Sequence, residues 1–268
     1  MTDKNIKMKL SGLINAVTTP FDKANAIDQG AYKEHLQWLY EKGVKNILVS
    51  GTTGEFFSLT VKEKLSLLSI AKDSFQGRII FHAGTVSLFE TKELAKSAQD
   101  TGADYVAAIL PYYLSRLSET GLIKYLESIS LSTELPFIIY NFPAHTQVKL
   151  TPAILSRVPH FAIKDSSGNL DLIKYTDNYF IGSDRRLLES KKNGGRGFVS
   201  ARSNAEPEVY STLDNLIKQN SINEAKKLHL EVLNICVRLS GSDQIKLIKK
   251  EISSKLKGYP VTVRLPLI

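Results

Sequence analysis

The sequence contains one cysteine, Cys236, among its 268 residues. A single thiol excludes a disulfide framework within the chain and any metal cluster held by several thiolates. Cys236 falls in a helical pattern between Leu228 and Leu239, which is typical of a small core residue. Long hydrophobic runs are absent too: no stretch approaches the about 18 apolar residues of a membrane span, and no apolar signal segment precedes the first predicted strand. We therefore expect a cytoplasmic protein with no membrane partner.

Clusters of like charge or of metal ligands are also missing. The net charge is +8, but the lysines are scattered, and no Lys- or Arg-rich run alternates with aromatic residues. We therefore expect no nucleic-acid partner; the charge fits a solvated basic surface or a preference for small anions. The histidines show no H-E-x-x-H spacing and no dense acidic cluster accompanies them; they are His35, His82, His145, His160 and His229. The sequence predicts a mechanism without metal or cofactor.

Short runs rich in β-branched and aromatic residues recur along most of the chain, and segments with helical spacing separate them. The predicted strands are Leu13–Thr19, Asn46–Ser50, Ile79–Gly84, Tyr105–Leu110, Phe137–Asn141, Phe161–Ser166, Tyr179–Ser183 and Gly197–Ala201. Thr60 followed by Glu63 predicts a capping box, and Gly43, Gly77 and Gly102 each follow a helical run. Strands that alternate with helices predict a parallel sheet.

The number of strand–helix units favours a (β/α)8 TIM barrel, which typically needs about 250 residues. A doubly wound open sheet is the alternative, but no G-x-G-x-x-G follows the first strand and no phosphate-binding G-x-x-x-x-G-K-[ST] occurs. After residue 205 the strand pattern stops, and two or three helices follow near residues 206–219, 223–239 and 243–256. We predict an α/β protein with a barrel domain at residues 8–220 and a short C-terminal helical extension at residues 221–268.

Lys164 lies near the end of an apolar run within Phe161–Gly168, which predicts a buried strand followed by a turn. A lysine is almost never fully buried unless something compensates its charge. Either its side chain reaches solvent past the strand end, or burial lowers its pKa and the neutral amine forms a Schiff base with a carbonyl. The carboxyl ends of barrel strands converge on one face, where the chemistry sits, so the other strand ends bear on this choice.

Two other strand ends carry residues suited to such chemistry. Tyr140 precedes Asn-Phe-Pro, and its phenol could move protons during imine formation and carbon–carbon cleavage; a strand tyrosine before a proline turn is also common without function. Gly51-Thr-Thr-Gly54 follows the second strand, and its glycines allow positive φ and close approach to a ligand. Its hydroxyls and N–H groups suit a carboxylate, although a plain turn with a threonine cap fits equally. Tyr112 and Tyr113 could simply pack together.

Together these motifs resemble the dihydrodipicolinate synthase / N-acetylneuraminate lyase superfamily of pyruvate-dependent class I aldolases, which are TIM barrels. The motifs are Gly51-Thr-Thr-Gly-Glu55, Pro111-Tyr-Tyr113, Tyr140-Asn-Phe-Pro143 and Ile163-Lys-Asp-Ser-Ser-Gly168. The resemblance, which runs from about residue 10 to 260, implies that Lys164 forms the imine with a 2-keto acid and that Tyr140 shuttles protons. Thr52 and Thr53 would hold the carboxylate. Tyr113 is similar to a tyrosine that in some members reaches into the neighbouring subunit's site.

The resemblance also implies further contacts and an assembly. The implied catalytic residues are Lys164, Tyr140, Thr52 and Tyr113. The implied substrate contacts are Thr52, Thr53, Tyr140, Lys164, Asp165, Ser166, Gly182, Ser183, Val199 and Arg116. It further implies no cofactor, a small 2-keto acid or sugar acid as the binding partner, and a homotetramer built as a dimer of dimers.

Departures from the family motifs bear on which keto acid is bound. Dihydrodipicolinate synthases carry an arginine two residues beyond the Tyr-Asn-x-Pro proline, where it binds the distal carboxylate of the aldehyde. This chain has His145 there, and a neutral imidazole does not replace a bidentate guanidinium. Sialic acid lyases place Tyr-Asp-Glu where this chain has Ser183-Asp-Arg185, so only the aspartate matches.

The 2-keto-3-deoxygluconate aldolases are more similar, since their Tyr-Tyr-x-x-Arg-x-Ser-Glu and Gly-Ser-Asp patterns match Tyr112–Glu119 and Gly182–Asp184. In members that accept the 6-phosphate, Arg116 and Arg238 match proposed phosphate-binding arginines, but Phe142 replaces the associated tyrosine. The sequence predicts cleavage of 2-keto-3-deoxygluconate, with the galactonate epimer as a further candidate, to pyruvate and glyceraldehyde. Alternatives are another lyase, synthase or dehydratase that uses the same imine, and a non-catalytic barrel that only binds a keto acid.

Overall fold

Eight parallel strands form a closed barrel in chain order in this computed structural model, which describes residues 10–114 and 116–267. The strands are β1 (Gly12–Ala16), β2 (Asn46–Val49), β3 (Arg78–His82), β4 (Tyr105–Ile109), β5 (Phe137–Asn141), β6 (Ala162–Asp165), β7 (Tyr179–Ile181) and β8 (Gly197–Ser200). The predicted (β/α)8 fold is confirmed. Residues 8, 9 and 268, at the limits of the two predicted domains, and Ser115 in the predicted tyrosine motif lie outside the described residues.

Helices connect most of these strands and follow the last one. They are α1 (Gln29–Glu41), α2 (Val61–Ser74), α3 (Leu88–Thr101), α4 (Glu119–Ser130), α5 (Pro143–Thr146), α6 (Pro152–Leu155), α7 (Leu187–Lys192), α8 (Pro207–Lys218), α9 (Ile222–Arg238) and α10 (Gln244–Lys255). Segments of 3-10 helix span Phe56–Ser58, Leu170–Tyr175, Asp184–Arg186 and Arg202–Asn204. None of the helices in the described ranges is long and apolar enough to cross a membrane.

Internal contacts divide the chain into two compact units. One unit contains Ile80–Val199 together with the described residues up to Ser11, and the other contains Gly12–Ile79 and Ser200–Ile268. Strands β4 to β7 therefore belong to the first unit, whereas β1, β2 and helices α8 to α10 belong to the second. Each unit carries some of the residues predicted for the site.

The strands are buried because apolar side chains dominate both of their faces. β4, β5 and β6 are buried along their whole length, as expected for a parallel sheet that is covered on both sides. In the ladder between β5 and β6, Tyr140 lies opposite Lys164, and Asn141 lies opposite Asp165. The register therefore places two residues predicted for the site side by side.

β5 has its predicted bounds, and the other seven strands end one to three residues earlier than predicted. β1 ends at Ala16 rather than Thr19, and β7 ends at Ile181 rather than Ser183. Thr19, beyond the end of β1, is still buried, but it lies in a loop and not in the parallel ladder. Burial and composition therefore overestimate strand length, and the polar residues just beyond the ladders become available to a site.

Three of the four predicted helix signals act as expected and one does not; Gly43, just after the end of α1, has a φ of 90°. Thr60 and Glu63 form the predicted capping box at the start of α2, with the Glu63 N–H 3.2 Å from Thr60 Oγ1 and the Thr60 N–H 2.8 Å from Glu63 Oε2. Gly102 ends α3 with a φ of 89°. Gly77, in contrast, is no helix cap: a Cβ there would lie 2.3 Å from the carbonyl oxygen of Lys45, so the glycine permits close passage of two backbone segments.

The connections around β6 depart from the simple alternation. Between β5 and β6 the chain forms only α5 and α6, both of which begin with proline, and a 3-10 segment at Leu170–Tyr175 stands between β6 and β7. The three helices predicted after the barrel correspond to α8, α9 and α10. The predicted division of the chain at residue 220 stays a prediction.

The close approach at Gly77 gives a test of the fold. Gly77→Ala should lower the free energy of unfolding by about 1–3 kcal/mol because a methyl group cannot fit beside the Lys45 carbonyl. Gly30→Ala is the matched control: it lies in α1, and the nearest atom to its added Cβ is an Asp28 oxygen at 3.5 Å. That change should be neutral or stabilise by up to about 1 kcal/mol. Equal denaturant midpoints for the two variants would contradict the observed packing.

Candidate active site

Lys164 and Tyr140 lie next to each other on strands β6 and β5. Both side chains are buried, with 7% of Lys164 and 2% of Tyr140 exposed. The Nζ atom of Lys164 is 3.6 Å from the centre of the Tyr140 ring, so the amine lies over the face of the phenol ring. The structure thus brings the two predicted central residues into direct contact.

Burial changes the chemistry of the Lys164 amine. Desolvation penalises the charged ammonium and lowers the pKa of Lys164 to about 7, whereas a solvated lysine has a pKa of about 10.4. A large fraction of the side chain is therefore a neutral amine at neutral pH. A neutral amine is the form that attacks a carbonyl.

Two further rings pack against Tyr140. The His82 ring meets it edge-on, with centroids 6.0 Å apart and an interplanar angle of 81°, and the Phe142 ring lies 5.8 Å away. His82 Nε2 accepts a hydrogen bond from the backbone N–H of Ile109 at 3.2 Å, which ties the imidazole ring to β4. Our sequence reasoning considered His82 only as a metal ligand and missed this contact, although its position at the end of β3 was an available signal.

Asp165 follows Lys164 on β6 and takes part in a separate hydrogen-bond network. Its carboxylate accepts hydrogen bonds from Asn141 Nδ2 at 2.8 Å, from the Ser167 N–H and Oγ at 2.9 Å each, and from the Tyr179 hydroxyl at 2.7 Å. Successive side chains on a strand point to opposite faces. Asp165 and its hydrogen-bond partners therefore lie on the face of β6 opposite the Lys164 side chain. The network fixes the turn after β6, and the predicted substrate contact of Asp165 stays a prediction.

Tyr179 is a second residue that our sequence reasoning missed. Burial, together with the negative charge of the adjacent Asp165 carboxylate and the hydrogen bond that it accepts from the hydroxyl, raises the pKa of the Tyr179 phenol far above its usual range. The hydroxyl therefore remains a hydrogen-bond donor under all ordinary conditions. Because Tyr179 begins β7, its bond to Asp165 ties the end of β6 to the next strand.

Gly182 follows β7 and makes room for the turn after Lys164. Its N–H donates to the carbonyl oxygen of Asp165 at 2.7 Å, and a Cβ at this position would lie 2.1 Å from Ser166 Oγ. Ser166 and Ser183 are half-buried, and Val199 is buried in β8. All of these residues belong to the same unit as Lys164; their predicted substrate contacts stay predictions.

The turn after β2, in the other unit, has an unexpected backbone conformation. Gly51 and Gly54 were expected to allow positive φ, but neither adopts it: the left-handed residues of this turn are Ser50, with a φ of 57°, and Glu55, with a φ of 58°. Glycine is needed here for close packing, since a Cβ on Gly54 would lie 3.0 Å from the carbonyl oxygen of Val17. Left-handed residues other than glycine are uncommon and concentrate at functional sites.

Thr52 and Thr53 lie between these two left-handed residues. Thr52 is half-buried and Thr53 is 8% exposed. The N–H of Glu55 donates to the Thr52 carbonyl at 3.0 Å, and the N–H of Phe56 donates to the Gly51 carbonyl at 3.3 Å. The turn is therefore closed by its own backbone bonds, which hold the two threonines in fixed orientations.

Tyr113 and Arg116 lie in the loop between β4 and α4. Tyr113 is 82% exposed and Arg116 is exposed as well. Tyr112 and Tyr113 line a mainly apolar cavity of about 450 Å³ together with Val86, Leu114, Leu117 and Tyr125. An exposed tyrosine in apolar surroundings suits contact with another molecule more than catalysis within this chain alone.

Arg238, the second predicted phosphate-binding arginine, is engaged in ion pairs. Its guanidinium lies 2.8 Å from Glu206 and 2.6 Å from Glu251. These carboxylates raise the pKa of Arg238 above its usual value and balance its charge. The arginine thus acts within a cluster on the C-terminal helices, which weakens the prediction that it binds a phosphate.

No group of three or more His, Cys, Asp or Glu side chains is placed to hold a metal ion in residues 10–114 and 116–267.

Comparison with known proteins gives a consistent result along the whole chain. Residues 9–268 match the model of the Dihydrodipicolinate synthetase family. The 4-hydroxy-tetrahydrodipicolinate synthase of Fervidobacterium nodosum is 32% identical over 239 residues, which cover 84% of this chain and 81% of that protein. The protein of the same name from Oleidesulfovibrio alaskensis is 31% identical over 275 residues, which cover 97% and 93% of the two chains.

Solved structures with the same fold include two of particular interest for the site. One is YagE, a prophage protein of the dihydrodipicolinic acid synthase family from E. coli K12, whose structure was determined in complex with pyruvate. It superposes on this chain with a TM-score of 0.90 and 28% identity, and the match covers 97% of this chain and 93% of YagE. A catalytic lysine mutant of the sialic acid aldolase from Ruminococcus gnavus gives a TM-score of 0.90 and 25% identity, covering 97% and 90%.

The lowered pKa of Lys164 can be measured without a substrate. We expect its reactivity toward limiting acetic anhydride, followed peptide by peptide with mass spectrometry, to rise with pH and level off above about pH 7. The physical reason is that only the neutral amine reacts, and burial shifts the pKa of this group to about 7. A solvated lysine gains reactivity up to about pH 10. A curve of that second kind for Lys164 would contradict the proposed desolvation.

Proposed function

Because a family model matches residues 9–268, the chain belongs to the dihydrodipicolinate synthetase family, and we propose that it is a pyruvate-dependent lyase or synthase that acts through an imine on Lys164. The observation that carries this proposal is the buried amine over the Tyr140 ring, with its pKa lowered to about 7. A lysine in this state is suited to nucleophilic catalysis.

The proposed reaction begins with attack of the neutral Lys164 amine on the ketone carbon of a 2-keto acid. The carbinolamine loses water and leaves an iminium ion, which accepts the electron pair when the carbon–carbon bond β to it breaks. Tyr140 takes the proton of the substrate hydroxyl while its own phenol proton passes to solvent, and an aldehyde departs. The resulting enamine is protonated on carbon, and water hydrolyses the imine to pyruvate and the free lysine. Run in reverse, the same steps join pyruvate to an aldehyde.

The turn with Thr52 and Thr53 is proposed to hold the carboxylate of the keto acid. Its support is the fixed backbone of the turn and the two adjacent hydroxyls, which can both donate. His82 and Phe142 would keep the Tyr140 ring in place during proton transfer. In the same way, Asp165 and Tyr179 would keep the β6 turn in place.

Two substrate classes are supported by different observations. The two curated relatives described above are named 4-hydroxy-tetrahydrodipicolinate synthase, so the comparisons favour a synthase or another family activity over our first prediction, cleavage of 2-keto-3-deoxygluconate. His145 favours the sugar acid: it is exposed, its ring packs 4.1 Å from the Phe142 ring, and it offers no bidentate donor for a distal carboxylate. We keep both classes as candidates.

A substrate panel distinguishes the candidates. Pyruvate release from 2-keto-3-deoxygluconate, its galactonate epimer and their 6-phosphates is compared with condensation of pyruvate and aspartate semialdehyde, an aldehyde with a distal carboxylate. We expect His145→Arg to raise the condensation rate relative to cleavage by about tenfold, because a bidentate donor is restored. His145→Gln is the control and should leave this ratio unchanged. Pyruvate binding with no turnover of any panel member would indicate a non-catalytic barrel and contradict the proposal.

We also propose that the chain assembles with copies of itself, as a dimer of dimers, through the surface around Tyr113. Exposed apolar side chains line the cavity beside Tyr113: Val86 is 65% exposed, Leu114 64% and Leu117 37%. A monomeric protein rarely leaves such a contiguous apolar surface in water. An interface at this place would cover Tyr113 and could carry its hydroxyl to a neighbouring copy.

Light scattering coupled to size exclusion tests this surface. The double variant Val86→Asp/Leu114→Asp should reduce the molar mass of the particle, because buried carboxylates oppose association. Leu131→Asp, at a position 79% exposed and outside the Tyr113 surface, should leave the mass unchanged. Tyr113→Phe should keep the assembly yet lower activity if its hydroxyl serves a neighbouring site. An unchanged mass for the double variant would argue against this interface.

A further inference from the structure

A buried ion pair lies directly beside the turn that carries Thr52 and Thr53. Lys249 Nζ on α10 is 2.6 Å from Glu55 Oε1, and both side chains are fully buried. The same ammonium donates to the carbonyl oxygen of Thr262 at 2.6 Å. The second carboxylate oxygen of Glu55 accepts from the backbone N–H of Arg264 at 2.9 Å. Glu55 therefore joins the β2 turn to the C-terminal part of the chain.

A buried ion pair of this kind often contributes little to the free energy of unfolding. Moving two charges out of water carries a desolvation penalty that a buried pair often does not recover, and apolar side chains of similar size commonly give equal or greater stability. Burial lowers the pKa of Lys249, and the Glu55 carboxylate opposes that shift. The pair is therefore better explained by a role in holding a particular backbone conformation than by a contribution to the stability of the fold.

The conformation that needs holding is that of Glu55 itself. Its φ of 58° is in the left-handed region, which is unfavourable for a residue with a side chain and persists only where the surroundings enforce it. Glu55 immediately follows the Gly51–Gly54 turn, and its N–H closes that turn on the Thr52 carbonyl. If the carboxylate of Glu55 lost its anchor, the backbone at residue 55 could relax and move the threonines.

The C-terminal segment that completes the anchor is itself tied down. The Arg264 guanidinium donates to the carbonyl oxygens of Ser58 and Asn25 and to the Glu63 carboxylate, and its hydrogen bonding lowers the pKa of Glu63 to about 2. Tyr259 adds a 2.7 Å hydrogen bond between its hydroxyl and Thr18 Oγ1. The segment after α10 is therefore a fixed support for Glu55.

We infer that Lys249 is a positioning residue for keto-acid binding, acting through Glu55 to hold the Thr52–Thr53 turn in its ligand-binding form. This inference rests on the proposed function, since it assumes that the turn holds the pyruvate carboxylate. Lys249 does not react; its ammonium is engaged by a carboxylate and a carbonyl. The C-terminal helix α10 thus becomes part of the pyruvate-binding apparatus.

The test compares pyruvate saturation in paired variants of the full chain. Glu55→Gln/Lys249→Met removes both charges at once, so no charge is left buried and alone. We expect the pyruvate concentration that gives half-maximal borohydride-trapped adduct on Lys164 to rise by about tenfold, with the maximal adduct yield near the wild-type value. Lys218→Met is the matched control: it breaks the 2.6 Å pair between Lys218 and Asp214 and should leave half-saturation unchanged.

Thermal unfolding of each variant separates positioning from stability. A lower melting temperature with unchanged half-saturation would mean that the pair is only structural and would overturn the inference. Should the double variant not fold, Lys249→Gln, which keeps an N–H donor near Glu55, is judged by the same half-saturation. Absence of any adduct on the wild-type chain would remove the proposed function, and this inference with it. A normal wild-type adduct with unaltered variant saturation would remove this inference alone.

Discussion

Desolvation of the Lys164 amine is the constraint on which the proposed chemistry depends. The strands around it are buried, and the nearest ring, that of Tyr140, offers a π face rather than a carboxylate. A carboxylate beside the ammonium would favour its charged form and raise the pKa again. The carboxylate next in sequence, Asp165, is instead held by Asn141, Ser167 and Tyr179. Strand alternation thus keeps the reactive amine and its neighbouring charge apart.

The second buried lysine described in detail shows the contrast. Lys249 lies against Glu55 at 2.6 Å, and a partnered ammonium of this kind is a fixed charge with a structural use. Lys164 lacks that arrangement, and its pKa falls to about 7. The two residues have the same side chain and nearly the same burial. Their different surroundings are the basis for proposing one as a nucleophile and the other as an anchor.

Much of the architecture and the centre of the site could be predicted from the sequence, because strand periodicity and motif order are local properties. The alternation of strands and helices predicted the barrel, and the apolar run around Lys164 predicted that this lysine is buried. The ring of His82 against Tyr140 and the Glu55–Lys249 pair could not be predicted, since each joins residues far apart in sequence through side-chain packing. The positive φ values of Ser50 and Glu55 were not predicted, because glycine is the residue type expected to adopt the left-handed conformation. The substrate also depends on three-dimensional placement of groups around His145, which sequence alone does not give.

Peptide mapping of the reduced pyruvate adduct tests the central claim most directly. The protein is treated with pyruvate and borohydride and then digested, and the mass of every lysine-containing peptide is measured by mass spectrometry. We expect the reduced adduct on Lys164, no adduct on the fully buried Lys249, and loss of the adduct in Lys164→Ala. An unmodified Lys164 peptide in the wild-type chain, or an adduct distributed over surface lysines, would contradict it.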